Sequence, residues 1–288
     1  MFESIKSGWK LTKISFSMLM EEKKLMVFPF LSAIFSILLL IGFFAPLSIL
    51  KVLDFGAGAL EGTSAVLFFF VLFVYYLGTS FLAIFFNVAL VYAVKARIEG
   101  DGASIGQAIS FAMSRAGTIL PWAIISAIVG LILNAIENSA RKAKGGGAIV
   151  LMIIKGIIGL AWVILTFFII PVIVYQNLGV IDTIKKSGEI MKKKWGEVLF
   201  LNFGTGLFFF VLFLAWIIIS AIAVFSTISI NLWLGVIVGV FFFFGFLIIA
   251  LIQSAINQIF RTLIYLYAEK GVMPPGFSEA EVQNLFRK

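Results

Sequence analysis

Long apolar runs constrain this chain more than any other feature. A helix needs about 20 apolar residues to cross roughly 30 Å of hydrocarbon, and runs of that length recur along the sequence. Of the 288 residues, 62% are hydrophobic and 12% are charged, whereas soluble domains are about 45–50% apolar and about 25% charged. The strands of a membrane β-barrel would instead alternate in polarity over about ten residues. The sequence therefore predicts an all-α polytopic membrane protein.

Six transmembrane helices follow from the positions of these runs. They are predicted at about 25–49, 64–94, 118–135, 148–176, 198–225 and 231–268. The second and sixth spans are longer than the hydrocarbon requires at about 1.5 Å per residue, so they should tilt or protrude. Pro171 lacks a backbone donor and should kink the fourth span unless neighbouring groups compensate. The glycine-containing segment 137–147 is predicted to be an outer loop.

An amphipathic segment at 2–24 precedes the first span. One face of this helix carries Phe2, Ile5, Trp9, Phe16 and Leu19, and another face carries Lys6, Lys10 and Lys13. Such spacing predicts a helix that lies in the membrane interface with its lysines toward lipid phosphates. A helix packed on the protein's own cytoplasmic side fits the same pattern equally well.

Two further amphipathic segments lie between spans. The first begins at a predicted capping box formed by Ser104 and Gln107. The second covers 182–195 and carries four lysines mostly on one side, namely Lys185, Lys186, Lys192 and Lys193. The fold prediction therefore includes three cytoplasmic-side interfacial helices, and the lysines of the first and third are predicted to contact anionic headgroups.

The loop charges give an orientation. The segments on the side of the termini hold 17 Lys and Arg residues, whereas the opposite loops hold 4. Because Lys and Arg concentrate in cytoplasmic loops, both termini are predicted to be cytoplasmic. The formal net charge of +8 could also indicate nucleic-acid binding. The positive residues flank the spans, however, so anionic lipid is the predicted partner and nucleic acid is not.

A threefold internal repeat is one interpretation of this order. Each unit would contain a surface helix followed by two spans, at 2–95, 104–177 and 180–268. The even-numbered spans end in LVYAVKARIEGDGAS, VIVYQNLGVIDT and LIYLYAEKGVMPPGFS. Similar chemistry at membrane exits explains these endings as well as a true repeat does. The chain is predicted to form a single membrane domain over 1–288, with a short cytoplasmic tail at 269–288 that contains a helix at 278–288.

Several segments carry a resemblance to a known family. They are SGWKLTKISFSML, KKLMVFPFLSA, PWAIISAIVGLI, FFIIPVIVYQNLG, KKSGEIMKKKWGE and LYAEKG followed by PPGF. Together they resemble a prokaryotic family of six-span integral membrane proteins that is catalogued only as a domain of unknown function. The resemblance extends over nearly the whole chain, and it implies a multi-pass protein in the plasma membrane of a prokaryote. It implies no established chemistry, so no functional residue is transferred.

Catalytic and metal chemistry find little support. The chain contains no Cys and no His, which excludes thiolate nucleophiles, imidazole bases and the usual zinc sites. No Asp or Glu lies near the middle of a predicted span, which argues against a carboxylate relay. We therefore expect no enzymatic activity, no cofactor and no metal. Lys155 is the charge within the outer part of a span; it should reach the headgroups or pair with Glu137, Glu61 or Asp54 rather than contact a substrate.

A polar stripe in the sixth span is the most suggestive intramembrane feature. Gln253, Asn257 and Arg261 recur every four residues, with Ser254 and Gln258 beside them, and Asn87 and Asn202 lie at similar predicted depth. Such side chains either bond across the bundle as structural contacts or line a wet path. Gly204 and Gly206, and the Gly235–Gly239 pair, are predicted to be close helix contacts.

Two functions remain open from the sequence. The first is a channel or permease-like protein whose polar path follows the sixth span, enclosed by one bundle or by a homo-oligomer. The alternative is a non-conducting membrane organiser, or a subunit of a complex, that binds anionic lipid or a partner through its basic amphipathic helices.

Overall fold

The computed structural model describes residues 2–49, 63–143, 145–193 and 195–272. Within these ranges, the side chains of residues 2–7, 46–49, 63–69, 195–197 and 199–203 are not described. Regular structure within these ranges is helical, with no strand. The α-helices are α1 (Phe2–Glu21), α2 (Val27–Ile49), α3 (Thr63–Glu99), α4 (Ile105–Ser114), α5 (Ala116–Lys142), α6 (Gly146–Thr166), α7 (Ile169–Tyr175), α8 (Val180–Lys193), α9 (Trp195–Ile228) and α10 (Leu232–Lys270). A short 3₁₀ helix covers Lys23–Met26. The all-α prediction is confirmed.

Six segments of the described chain are long and apolar enough to cross a membrane. They are Lys23–Ala45, Phe70–Glu99, Ala116–Lys142, Gly146–Tyr175, Gly204–Ile228 and Leu232–Lys270. The predicted number of spans is therefore confirmed. The predicted outer loop at 137–147 is wrong in its first part, because α5 continues to Lys142. That part contains no Gly or Pro, and Glu137 pairs with Arg141 one helical turn later, at 2.6 Å.

The fourth span is interrupted rather than continuous. It consists of α6 and α7, which are separated by a turn at Phe167 and Phe168. Pro171 lies four residues after Phe167, so it cannot donate to the Phe167 carbonyl and its ring crowds that carbonyl. The predicted kink is thus a full break. None of the residues of α6 is buried, whereas those from Ile169 to Val174 in α7 all are.

One compact unit comprises Met1–Pro29 and Lys192–Lys288. Here α9 and α10 form a hairpin against which α1 packs. Asn231 caps α10 by accepting a hydrogen bond from the Trp233 backbone N–H at 2.8 Å. Deeper in the hairpin, the Trp216 indole N–H donates to the Phe242 carbonyl at 3.0 Å.

The other compact unit comprises Phe30–Met191. In this unit α3 packs against α4, α5 and α7, and α5 packs against α6. The Trp122 and Trp162 rings stack with centroids 5.2 Å apart, which joins α5 to α6. At the start of α4, Ser104 Oγ accepts from the Gln107 N–H at 3.2 Å, and Gln107 Oε1 accepts from the Ser104 N–H at 2.8 Å. The predicted capping box is confirmed.

The domain and repeat assignments stay predictions. The first surface helix, α1, lies in the same compact unit as the fifth and sixth spans, whereas the proposed repeat groups it with the first two spans. The tail helix predicted at 278–288 and the loop that contains Asp54 and Glu61 lie outside the described residues.

Candidate functional sites

The polar stripe of the sixth span lies on the part of α10 that is packed inside its unit. Gln258 is 7% exposed, and its side-chain oxygen has no hydrogen-bond partner among the described atoms. Four further stripe residues are half-buried, namely Gln253, Ser254, Asn257 and Arg261. The neighbouring helix positions are buried and apolar, for example Ile256 and Ile259. The stripe is therefore embedded in a largely apolar environment.

The other two residues of the predicted polar path belong to other helices. Asn87 is half-buried in α3, within the unit that comprises Phe30–Met191. Asn202 belongs to α9, and its side chain lies outside the described atoms. A continuous path through these positions stays a prediction.

A pair of threonine hydroxyls joins α1 to α9. Thr12 Oγ1 and Thr205 Oγ1 lie 2.6 Å apart, and both residues are almost fully buried. The Thr12 hydroxyl also lies 2.8 Å from the Gly8 carbonyl, within hydrogen-bond distance. The sequence pattern did not indicate Thr12. The periodicity of α1 is defined by large apolar side chains, whereas this contact is formed by two small polar ones.

Lys155 is paired with a carboxylate. Its ammonium contacts Glu137 of α5, and Glu137 also accepts a hydrogen bond from Arg141 at 2.6 Å. Of the alternatives predicted for Lys155, the structure shows the pairing with Glu137. Because the Lys155 ammonium is already paired with this carboxylate, the arrangement gives no support to a substrate role for Lys155.

The surface helix α8 is seated on the break in the fourth span. Its buried residues are Thr183, Ser187, Ile190 and Met191. The Phe168 backbone N–H, which lies at the break, donates to Ser187 Oγ at 3.1 Å. Gly188 lies so close to Leu165 that a Cβ on it would be 3.3 Å from that side chain. The Ser187 hydroxyl and the absence of a side chain at Gly188 thus let α8 approach the interrupted backbone closely.

The predicted lipid-binding lysines differ in exposure. Lys185 is 69% exposed and lies 3.7 Å from Asp182. Lys192 and Lys193 are exposed, and Lys186 is half-buried. The structure thus places Lys185, Lys192 and Lys193 away from the buried face of α8, with Lys186 at its edge.

The first surface helix contributes fewer described lysines. Lys13 is exposed, with its ammonium 5.7 Å from the centre of the Trp9 ring, whereas Lys10 is half-buried. The side chain of Lys6 lies outside the described atoms.

Comparison with known proteins assigns the chain to a family. The sequence profile of the Family of unknown function (DUF6159) matches residues 66–275, well over half of the chain. The chain belongs to the DUF6159 family. No curated protein matches it. The resemblance noted from the sequence is confirmed, and the six apolar helices agree with a multi-pass membrane protein.

The part matched by the DUF6159 profile contains most of the candidate positions. It includes α8 with its lysines and the whole polar stripe of α10. It does not extend to α1, so Lys10, Lys13 and Thr12 lie outside the matched residues. Among the described residues of this DUF6159 member, no group of three or more His, Cys, Asp or Glu residues is placed to hold a metal ion.

Arg115 is a positioning residue that the sequence did not reveal. It lies between α4 and α5 and donates a hydrogen bond to the Asn177 side-chain oxygen. The Thr118 hydroxyl reaches the Leu178 carbonyl at 3.4 Å, and Lys95 lies 5.3 Å from the centre of the Tyr175 ring. These contacts hold the turn that leads into α8. Because the partners are about 60 or more residues apart in the sequence, no local pattern signals them.

Proposed function

We propose that this DUF6159 member is a non-conducting membrane organiser that binds anionic lipid headgroups through its basic surface helices. The observation that carries the proposal is the arrangement of α8. Ser187 and Ile190 lie on its buried face, whereas Lys185, Lys192 and Lys193 are exposed. The helix is thus fixed by one side and presents cations on the other.

Orientation and charge support this proposal. The distribution of Lys and Arg predicts cytoplasmic termini, and that topology places α8 at the leaflet that carries anionic lipid in the plasma membrane of a prokaryote. A basic residue near such a surface contributes about 1 kcal/mol of attraction. The exposed acidic residues Asp182 and Glu189 offset part of this attraction. Added salt should weaken the interaction because exposed charges are screened. We expect no enzymatic activity.

Lipid-dependent stabilisation tests the proposal. The protein is reconstituted in nanodiscs of phosphatidylcholine alone or with phosphatidylglycerol, and its melting temperature is measured. A lipid that binds the folded state stabilises it, so phosphatidylglycerol should raise the melting temperature of the unmodified chain. Replacing Lys185, Lys186, Lys192 and Lys193 together with Gln should remove most of that increase.

A matched control uses the cations at the opposite end of the spans. Arg141 and Lys142 are exposed at the end of α5, and changing both to Gln should remove a smaller part of the phosphatidylglycerol effect than the α8 changes do, since two cations are lost instead of four. If the quadruple α8 variant gains as much stability from phosphatidylglycerol as the unmodified chain, the organiser proposal is wrong for α8.

Conduction is the second candidate, and one observation favours it. The buried Gln258 oxygen has no hydrogen-bond partner among the described atoms, and a polar group in an apolar environment needs one. Water in a path along α10 would supply it, with enclosure by one bundle or a homo-oligomer. Solute flux into proteoliposomes separates the candidates. Flux above that of empty vesicles, abolished by Gln253→Leu with Asn257→Leu, would replace the organiser proposal with conduction.

A further inference from the structure

The first surface helix has three distinct faces. Its buried face is formed by Gly8, Leu11, Thr12, Ser15 and Leu19. At about 100° per residue, the next sector holds Trp9, Phe16 and Met20, which are 39%, 45% and 40% exposed. The sector beyond it holds Lys10, Lys13, Ser17 and Glu21, which are exposed or half-buried. A helix that needed only to pack on the protein and face water would have two faces. The apolar exposed sector is the additional one.

The contacts of the buried face place α1 against the fifth span. Thr12 meets Thr205 through their hydroxyl groups, 2.6 Å apart. Thr205 lies in the apolar segment Gly204–Ile228. The Trp9 ring packs edge-on against Phe208, with ring centroids 4.9 Å apart. The exposed apolar sector of α1 therefore starts beside the membrane-spanning surface of α9.

The surface of α9 next to these contacts is itself exposed and apolar. Phe208 is half-buried, and Val211, three positions later on the same side of α9, is 56% exposed. Since α9 is a membrane span, lipid is the solvent for these side chains. The row of Trp9, Phe16 and Met20 continues this lipid-facing surface on the neighbouring helix.

The third face fits the headgroup layer. Lys13 lies with its ammonium 5.7 Å from the centre of the Trp9 ring, a cation–π distance. Trp side chains concentrate at the level of the headgroups, and a lysine beside one can extend its ammonium toward phosphate while its methylene groups stay in apolar surroundings. The order apolar, basic, acidic around the helix matches the order hydrocarbon, phosphate, water across an interface.

We propose that α1 is a monotopic helix embedded in the lipid interface, with Trp9, Phe16 and Met20 among the acyl chains and Lys13 at the phosphates. The partner is the phospholipid leaflet itself. The inference rests on the proposed function in one respect, namely that the partner is lipid. It adds apolar insertion, which requires no anionic lipid, at a helix that the family match does not cover.

Spin labels on single cysteines test the depth of each face. The chain contains no Cys, so Phe16→Cys, Met20→Cys and Ser17→Cys each give one labelled position. Collision with oxygen, which concentrates in hydrocarbon, and with a water-soluble nickel complex is measured in phosphatidylcholine vesicles. Labels at 16 and 20 should collide more with oxygen and several-fold less with nickel than the label at 17.

Two results would overturn the inference. If the labels at 16 and 17 are equally accessible to nickel, α1 lies in water. If the label at 16 collides with neither reagent, another protein segment or a second copy covers this face. The vesicles contain no anionic lipid, so α1 insertion is tested independently of α8. If phosphatidylglycerol does not stabilise the unmodified chain but the label at 16 is deep, the organiser function is rejected and α1 stays in the interface.

Discussion

Single residues determine how closely the last two spans approach each other. The Trp216 ring occupies the space beside Gly245, so that a Cβ at this glycine would overlap the indole. Gly235 is equally close to Ile228, and the close contact predicted there is confirmed. Gly239 has only an ordinary contact, 3.8 Å from Val224. The prediction is wrong for Gly206, beside which a Cβ would meet none of the described atoms within 4 Å. Gly245 lacked a sequence signal because its partner is 29 positions away.

Gly245→Ala should destabilise the hairpin. The added methyl group would overlap Trp216 unless the indole moves, and such a movement weakens its hydrogen bond to the Phe242 carbonyl. Overpacking of this kind costs about 1–3 kcal/mol. The free energy of unfolding in mixed micelles measures the effect. Gly206→Ala on α9 is the control and should change stability by less than about 0.5 kcal/mol. Equal stabilities of the two variants would contradict the assigned role of Gly245.

At the scale of elements, the broken fourth span combines a predictable feature with an unpredictable one. Pro171 indicates a distortion, and its geometry places the break near the residue four positions earlier. The compensating group could not be derived, because Ser187 lies 19 positions from Phe168 and reaches it only after α8 has docked. Sequence patterns predict the periodicity within a helix. They do not predict which serine accepts a hydrogen bond from a backbone N–H of another helix.

Ser187→Ala should loosen both the break and α8. The substitution removes the hydrogen bond between the Phe168 N–H and Ser187 Oγ, and the loss of one such bond costs about 0.5–1.5 kcal/mol. We expect faster hydrogen exchange in the peptides that cover the break and α8, together with lower stability. Ser226→Ala is the matched control, since that exposed hydroxyl only bonds the Ile222 carbonyl of its own helix, at 2.8 Å. Unchanged exchange at Phe168 would show that Ser187 is dispensable.

At the scale of the whole molecule, the apolar runs predicted the number of spans and the class of fold. They succeed because a helix in lipid must satisfy its own backbone and be long enough to cross. The grouping of α1 with α9 and α10 could not be predicted. It depends on Thr12 and Thr205, which lie 193 positions apart. The pairing of Lys155 with Glu137 was one of the predicted alternatives, because few carboxylates lie in the two loops predicted to be on that side of the membrane.

Orientation is the prediction that belongs to this scale. Asp101 and Ser229 are both exposed, in the turns after α3 and α9. Loop charge predicts that Asp101 is cytoplasmic and that Ser229 is outside. In intact cells, a membrane-impermeant maleimide should label Ser229→Cys nearly completely and Asp101→Cys only at background level. Lysis should make Asp101→Cys reactive. The reverse pattern would place both termini outside.

The interruption of the fourth span also bears on how this sequence can diverge. The residues of α6 are unburied, and those from Ile169 to Val174 in α7 are buried. Lipid accepts apolar side chains of many shapes, whereas a close-packed interior is sensitive to a single methylene group. Drift among apolar residues should therefore be nearly free at the exposed positions of α6, away from its contacts through Trp162 and Leu165, and strongly restricted along α7. One membrane crossing would then carry two rates of evolution, with the change between them at Phe167 and Phe168.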